Sequence, residues 1–250
     1  MTKFQGYVPY CGRQKGYGIQ IKAIVLAFIF FFCLILICAM LVLVKKEDKV
    51  FNKQTFFYVC TTKSRNKIDK TKQDLVKSLG GAGVVLFYKE NFNLIANVYL
   101  SEDNAKDVKN QIKTNFETAE VVKMEVKTIS KSMQKKIKEN FSFYKFFKYL
   151  NEIVNQLDEL NMNYMSGAVS EGNMMTLLIS EKLELETIIK QFENPNKEVI
   201  FENIKTYANL LLLHYENFFS EFYQSTKKQS LACMFVVNVT LTKVDLFNNL

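Results

Sequence analysis

The stretch from Thr55 to Val126 constrains the fold most, because within it the apolar period alternates between two and about 3.6, in the order β-α-β-β-α-β. Thr55-Phe56-Phe57-Tyr58-Val59-Cys60-Thr61 is rich in aromatic and β-branched residues and predicts a first strand. A polar, helix-favouring segment from Ser64 to Leu79 follows and closes at Gly80-Gly81. Val84-Val85-Leu86-Phe87-Tyr88 predicts a second strand, a turn around Glu90-Asn91 reverses the chain, and Phe92 to Leu100 predicts a third. Ser101 opens a helix with Ala105, Val108, Ile112 and Phe116 at helical spacing, and Glu120 to Val126 form the fourth strand. Strand alternation sends Phe57, Val59, Thr61, Leu94, Ala96 and Val98 toward the two helices. It sends Phe56, Tyr58, Cys60, Asn93, Ile95 and Asn97 to the other face, which two helices on one side leave open.

This order and these residues resemble the SPOR (sporulation-related repeat) domain, a small module of bacterial envelope proteins. Tyr58-Val59-Cys60-Thr61-Thr62 looks like the family's first strand, aromatic-Val-Gln-hydrophobic-Gly, with Cys60 at the Gln position. Phe92-Asn93-Leu94-Ile95-Ala96-Asn97-Val98-Tyr99, followed by Ser101-Glu102-Asp103-Asn104-Ala105, looks like its third strand and the helix with an early alanine, with Asn93 at the Arg position. The resemblance implies a four-stranded antiparallel sheet backed by two helices and an outer face that holds the glycan strands of peptidoglycan. The face residues here are Tyr58, Cys60, Asn93, Ile95 and Asn97, with Tyr58 placed to stack on a sugar ring and Asn93 and Asn97 to hydrogen-bond it. It further implies action at the septum in cell division or sporulation, with division or sporulation proteins as partners.

From Ala23 to Val44 there are 22 residues without a charge, bracketed by Lys22 and Lys45. As a helix they span about 33 Å, enough for a hydrocarbon core of roughly 30 Å. A signal peptide has a shorter apolar region ending at a small-x-small site; this run ends Met40-Leu41-Val42-Leu43-Val44, which predicts a retained transmembrane helix. Lys3, Arg13, Lys15 and Lys22 precede it without any acid, but Lys45, Lys46, Lys49 and Lys53 follow, so the positive-inside count is a tie. The SPOR resemblance places the folded part outside and the tail in the cytoplasm, in a single-pass protein of the cell membrane. Of the five cysteines, Cys33 and Cys38 lie in the span and Cys11 before it, so only Cys60 and Cys233 are candidates to meet, and separate reduced thiols are expected.

Beyond Ser130 the period stays helical. Ile137, Tyr144, Val154, Leu157 and Tyr164 trace a stripe that also takes in Phe141 and ends at Gly167, in a helix of up to about 36 residues that leaves a kink or break near Asn140 or Asn161 open. A second helix starting at Ser170 carries Met174, Leu178, Leu185, Ile188 and Phe192 and stops at Asn194-Pro195-Asn196. A third carries Ile204, Ala208, Leu211, Tyr215, Phe218 and Phe222. Leu231 to Leu241 is apolar but only 11 residues long, and finishes a core as helix or strand. The expected chain is therefore α+β: a tail (1–22), a transmembrane helix (23–44), a linker (45–54), a SPOR-like domain (55–128) and an antiparallel bundle of about three helices (129–250).

Catalytic signals are missing. His214 is the only histidine, and no cysteine pair has zinc spacing, so neither a nucleophilic triad nor a metal site is predicted and no cofactor is implied. Gly80-Gly81-Ala82-Gly83 lacks the Lys-Ser/Thr of a phosphate loop and leads into a strand. RNA-recognition domains share the element order, but Asn91-Phe92-Asn93-Leu94-Ile95-Ala96-Asn97 lacks their stacking aromatics. The net charge of +8 also divides too evenly for nucleic acid, with 15 basic and 11 acidic residues over 45–126 and 14 of each over 127–250. Two non-enzymatic readings remain open: the peptidoglycan-binding envelope protein, and a membrane scaffold that works through its bundle. The second is motivated by Phe141, Phe143, Tyr144, Phe146, Phe147 and Tyr149, which flank a whole helix.

Overall fold

The computed structural model describes residues 49–193 and 198–250. The expected cytoplasmic tail, the transmembrane helix at 23–44 and the first part of the linker lie outside the described residues. Val50 to Leu250 form one compact unit. After a 3-10 turn at Lys49–Phe51 come β1 (Thr55–Ser64), α1 (Lys70–Ser78), β2 (Val84–Tyr88), β3 (Asn91–Tyr99), α2 (Glu102–Ile112) and β4 (Glu120–Glu125). Five helices follow: α3 (Lys131–Glu139), α4 (Phe141–Met165), α5 (Glu171–Lys190), α6 (Val199–Phe222) and α7 (Lys228–Asn248).

Local chemistry sets most of these boundaries. Asp69, Ser101, Ser130 and Ser170 each cap a helix by accepting a backbone N–H of its first turn. Gly167, at φ +76°, ends α4, and the Ala168 N–H returns to the Asn163 carbonyl at 2.8 Å. Lys89 and Glu90, both with positive φ, make the two-residue hairpin between β2 and β3, where Tyr88 pairs with Asn91. The sheet is antiparallel throughout, in the order β2-β3-β1-β4.

The structure overturns the expected architecture in three respects. The C-terminal part holds five helices instead of about three, so the described chain has seven and is mostly helical. The first helix breaks at Asn140, one of the two positions left open for it, where the extended backbone separates α3 from α4 and resets the phase of the stripe; Asn161 lies within α4. Phe141 is consequently 74 % exposed while Phe143, Phe146 and Phe147 are buried. Leu231 to Leu241 are the middle of the 21-residue α7, which by length and composition alone would suffice to cross a membrane but is mostly buried in the protein.

The second correction concerns the sheet, which has no open face. α1 and α2 cover one side, where Val76, Ile68, Leu94 and Ala96 pack together and Ala105 meets Val59 and Tyr99. On the other side Phe56, Tyr58, Cys60, Ile95 and Val98 join one continuous core with residues of α4 and α7. The Tyr58 hydroxyl donates to Thr240 Oγ1 of α7 at 3.3 Å. Physically, a strand face carrying Phe56, Tyr58 and Ile95 needs a cover, and α7, apolar on nearly every side, needs burial all round.

The third correction is one of phase. β1 and β3 pair with shifts between Val59 and Cys60 and between Cys60 and Thr62, so Ala96 and Thr61 are bulged in turn. The first bulge moves Val98 from the face of Leu94 and Ala96 to the face of Tyr58, its register partner.

Apart from Phe141, the aromatics at the start of α4 pack within the chain. Phe143 stacks on Phe192 at 4.4 Å and on Phe201 at 4.6 Å, and Phe147 meets Phe51 and Phe247 at 5.5 and 5.4 Å. Buried hydroxyls tie three helices: Tyr149 Oη lies 2.9 Å from Tyr215 Oη and donates to the Glu181 carbonyl at 3.1 Å.

Candidate binding cleft

All five residues expected to face a glycan are buried. Tyr58, Cys60 and Ile95 lie in the core beneath α4 and α7. The Asn93 amide donates to the carbonyls of Leu86, Tyr88 and Asn91 at 3.4, 3.3 and 3.0 Å, bracing the β2–β3 hairpin from within. Asn97 Nδ2 donates to Tyr99 Oη at 2.8 Å, and its Oδ1 accepts from the Val98 N–H and from Asn161 Nδ2, both at 2.9 Å. The polar groups that suggested a ligand surface are thus satisfied by the protein itself.

Of the five, only Asn97 borders open space, and that space lies elsewhere: a cleft of about 590 Å³ between α1 and α2, floored by the sheet and closed at one end by α4 and α7. Thr61, Ala96 and Asn97 form the floor; Leu79 to Gly81 form one wall, Val108, Ile112 and Phe116 the other, and Met162, Met165 and Cys233 the closed end. The cleft stays open because small residues border it where chains approach. A Cβ on Gly81 would come within 2.7 Å of Val76 Cγ1 and 3.3 Å of Ala96 Cβ, while the next residue, Ala82, donates its N–H to the Ala96 carbonyl at 2.7 Å.

The cleft is nearly uncharged, since Asp107 is the only ionisable carboxylate bordering it and no lysine or arginine does. A buried polar chain leads to its inner end: the Cys233 thiol lies 3.6 Å from Asn161 Oδ1, and Asn161 reaches Asn97, which holds Tyr99. Burial pushes the Cys233 thiol up to about 12 and raises the Tyr99 phenol above its usual range, so both stay protonated at neutral pH. Neither is a nucleophile in that state. His214 sits on α6 with Nε2 3.1 Å from Thr242 Oγ1, does not border the cleft, and is kept neutral as burial lowers its pKa. Among the described residues no group of three His, Cys, Asp or Glu side chains is placed to hold a metal ion. What the cleft offers is apolar area with a few neutral donors and acceptors, an arrangement suited to binding.

Sequence patterns did not point to this site. Val108, Ile112 and Phe116 read as the apolar stripe of one covered helix; Val108 and Ile112 lie on α2, half-buried, whereas Phe116 falls beyond its end at Ile112, and the cleft opens along these residues. Met162, Met165 and Cys233 reach it from 46 to 125 residues beyond those wall residues, with no spacing to mark them. Comparison of the chain with family models, with curated proteins and with solved structures gives no match. The SPOR resemblance therefore has no support beyond the element order and the strand and helix residues that suggested it.

Proposed function

We propose that this chain is a non-enzymatic, membrane-tethered binding protein whose ligand, a small, uncharged and mainly apolar molecule, occupies the cleft between α1 and α2. The tether is the uncharged run Ala23–Val44. The cleft itself carries the reading, because about 590 Å³ is within the range of small-molecule sites and its border is apolar and neutral apart from Asp107. Protonated Cys233 and Tyr99 and the distant His214 argue for recognition over turnover. Wall binding through the sheet is not favoured, since α4 and α7 occupy the face it needs.

The test is extraction of bound small molecules from the full chain, purified in mild detergent, with analysis by mass spectrometry. Val108→Trp fills the cleft from α2, whereas Leu183→Trp adds the same bulk at an exposed site on α5. A neutral apolar compound present in the wild type and in L183W should fall by about tenfold or more in V108W. Equal recovery from all three overturns the assignment.

A further inference from the structure

The polar groups at the inner end of the cleft have a single consistent orientation, and a backbone amide sets it. The Val98 N–H can only donate, so the Asn97 atom that meets it at 2.9 Å is Oδ1. Asn97 Nδ2 therefore faces Tyr99, and the Tyr99 oxygen, 2.8 Å away, is the acceptor. By the same logic the Asn161 atom 2.9 Å from Asn97 Oδ1 is Nδ2, which leaves Asn161 Oδ1 to take the Cys233 thiol proton at 3.6 Å. The donors thus all run one way, from Cys233 through Asn161 and Asn97 to the Tyr99 oxygen.

That sequence of bonds ends on a proton without a partner. Tyr99 is 6 % exposed and borders the cleft, yet among the described residues nothing accepts its O–H. The other buried hydroxyl and thiol on the border are both engaged, Thr61 with the Leu94 carbonyl at 3.3 Å and Cys233 with Asn161. Acceptors in this corner are already used: Asn97 Oδ1 accepts twice and Tyr99 Oη once. Water filling the cleft can take the Tyr99 proton. A mainly apolar ligand that displaces the water must bring an acceptor or leave a buried donor unpaired. A carbonyl oxygen meets that demand without adding a proton of its own.

We propose that the ligand of the cleft is an apolar ketone or ester whose carbonyl oxygen accepts the Tyr99 hydroxyl proton, so that Tyr99 selects carbonyl compounds over hydrocarbons of the same shape. The inference rests on the cleft as the binding site and adds the chemical class of its occupant.

Benzophenone and diphenylmethane are close in size and shape and differ in a carbonyl against a methylene. Each is titrated by calorimetry into the full chain in mild detergent, wild type against Tyr99→Phe, so that partition of the probe into detergent cancels in its own ratio. Benzophenone should bind Y99F about tenfold more weakly, and diphenylmethane should bind it no more weakly than wild type. Near-ultraviolet light couples bound benzophenone to neighbouring C–H groups, and Met162 or Met165 at the closed end should carry the adduct. Adduct at either methionine together with unchanged benzophenone affinity in Y99F, or with both probes weakened alike, overturns the carbonyl assignment and leaves the cleft standing. Absence of adduct from every residue bordering the cleft overturns both. Should Y99F not fold, the infrared carbonyl band of carbon-13 benzophenone decides. It should lie at lower frequency with the wild type than with Val108→Trp, and stay there in N104A and Q111A, which remove the side-chain amides of α2 that border the cleft. A band that the wild type does not shift, or a shift lost in N104A or Q111A, overturns the proposal.

Discussion

Lys243 gives a measurable consequence of the way α7 is built into the core. It is 1 % exposed; its Nζ donates to Gln54 Oε1 and, at 2.9 Å, to Asn151 Oδ1. Gln54 in turn donates to Asn155 Oδ1 at 3.2 Å, so the residue preceding β1 is latched to α4 and α7 together. Both acceptors of the lysine are uncharged, and burial lowers its pKa from 10.5 to about 7. A lysine whose pKa falls on folding binds fewer protons folded than unfolded between those values. Its contribution to stability therefore rises as pH climbs from about 7 toward 10.5 and is least favourable below 7. Between pH 6 and pH 9, at 1.36 kcal/mol per pH unit, the gain is about 2–3 kcal/mol. Lys243→Met keeps most of the volume and removes the titration, leaving two amide oxygens without their donor at a cost of about 1–3 kcal/mol that does not vary with pH. Urea unfolding of the full chain, followed by circular dichroism at pH 6, 7, 8 and 9, measures both proteins. The difference between them cancels His214 and the buried thiols, which titrate equally in each. Wild type should gain about 2–3 kcal/mol on K243M across the series. Parallel profiles would refute the reasoning, because they would mean that the ammonium is as well solvated in the fold as in water.

Two further outcomes follow from burial. Phe143→Ala, which empties a site stacked between Phe192 and Phe201, should cost about 3–5 kcal/mol in the same urea assay, whereas Phe141→Ala, two residues away and exposed, should cost less than about 0.5 kcal/mol. In a chain carrying C11S, C33S and C38S, the remaining thiols of Cys60 and Cys233 are both held near 12 by burial. Their reaction with a disulfide reagent at pH 8 should run about a thousandfold slower than in the urea-unfolded chain, and a native rate within tenfold of the unfolded one would contradict their placement.

How far the fold is legible in the sequence depends on whether a residue's partners are near or far along the chain. The caps at Asp69, Ser101, Ser130 and Ser170 and the Gly167 terminus act within a few residues, and their side-chain types announce them. The phase of β3 does not announce itself. Its alternation is apolar and polar by turns, yet a bulge at Ala96, set by pairing with β1, sends Val98 to the opposite side. The same limit hid the cover of the sheet. Asn93 and Asn97 suggested a wetted face because they are polar, but Phe56, Tyr58, Cys60 and Ile95 between them are not, and a face so composed is more cheaply covered than hydrated. What covers it is α7, and there Lys243 breaks the apolar run just after Leu241, where a pattern search stops. That lysine is buried only because Gln54 and Asn151, 189 and 92 residues away, supply its acceptors. The cleft is the extreme case: its floor, walls and closed end come from β1, β3, α1, α2, α4 and α7, and it exists only once all of them have packed. In this chain the local order of elements is written residue by residue, whereas the choice between an open sheet and a sealed one is made by a helix at the far end whose charged residue conceals its length.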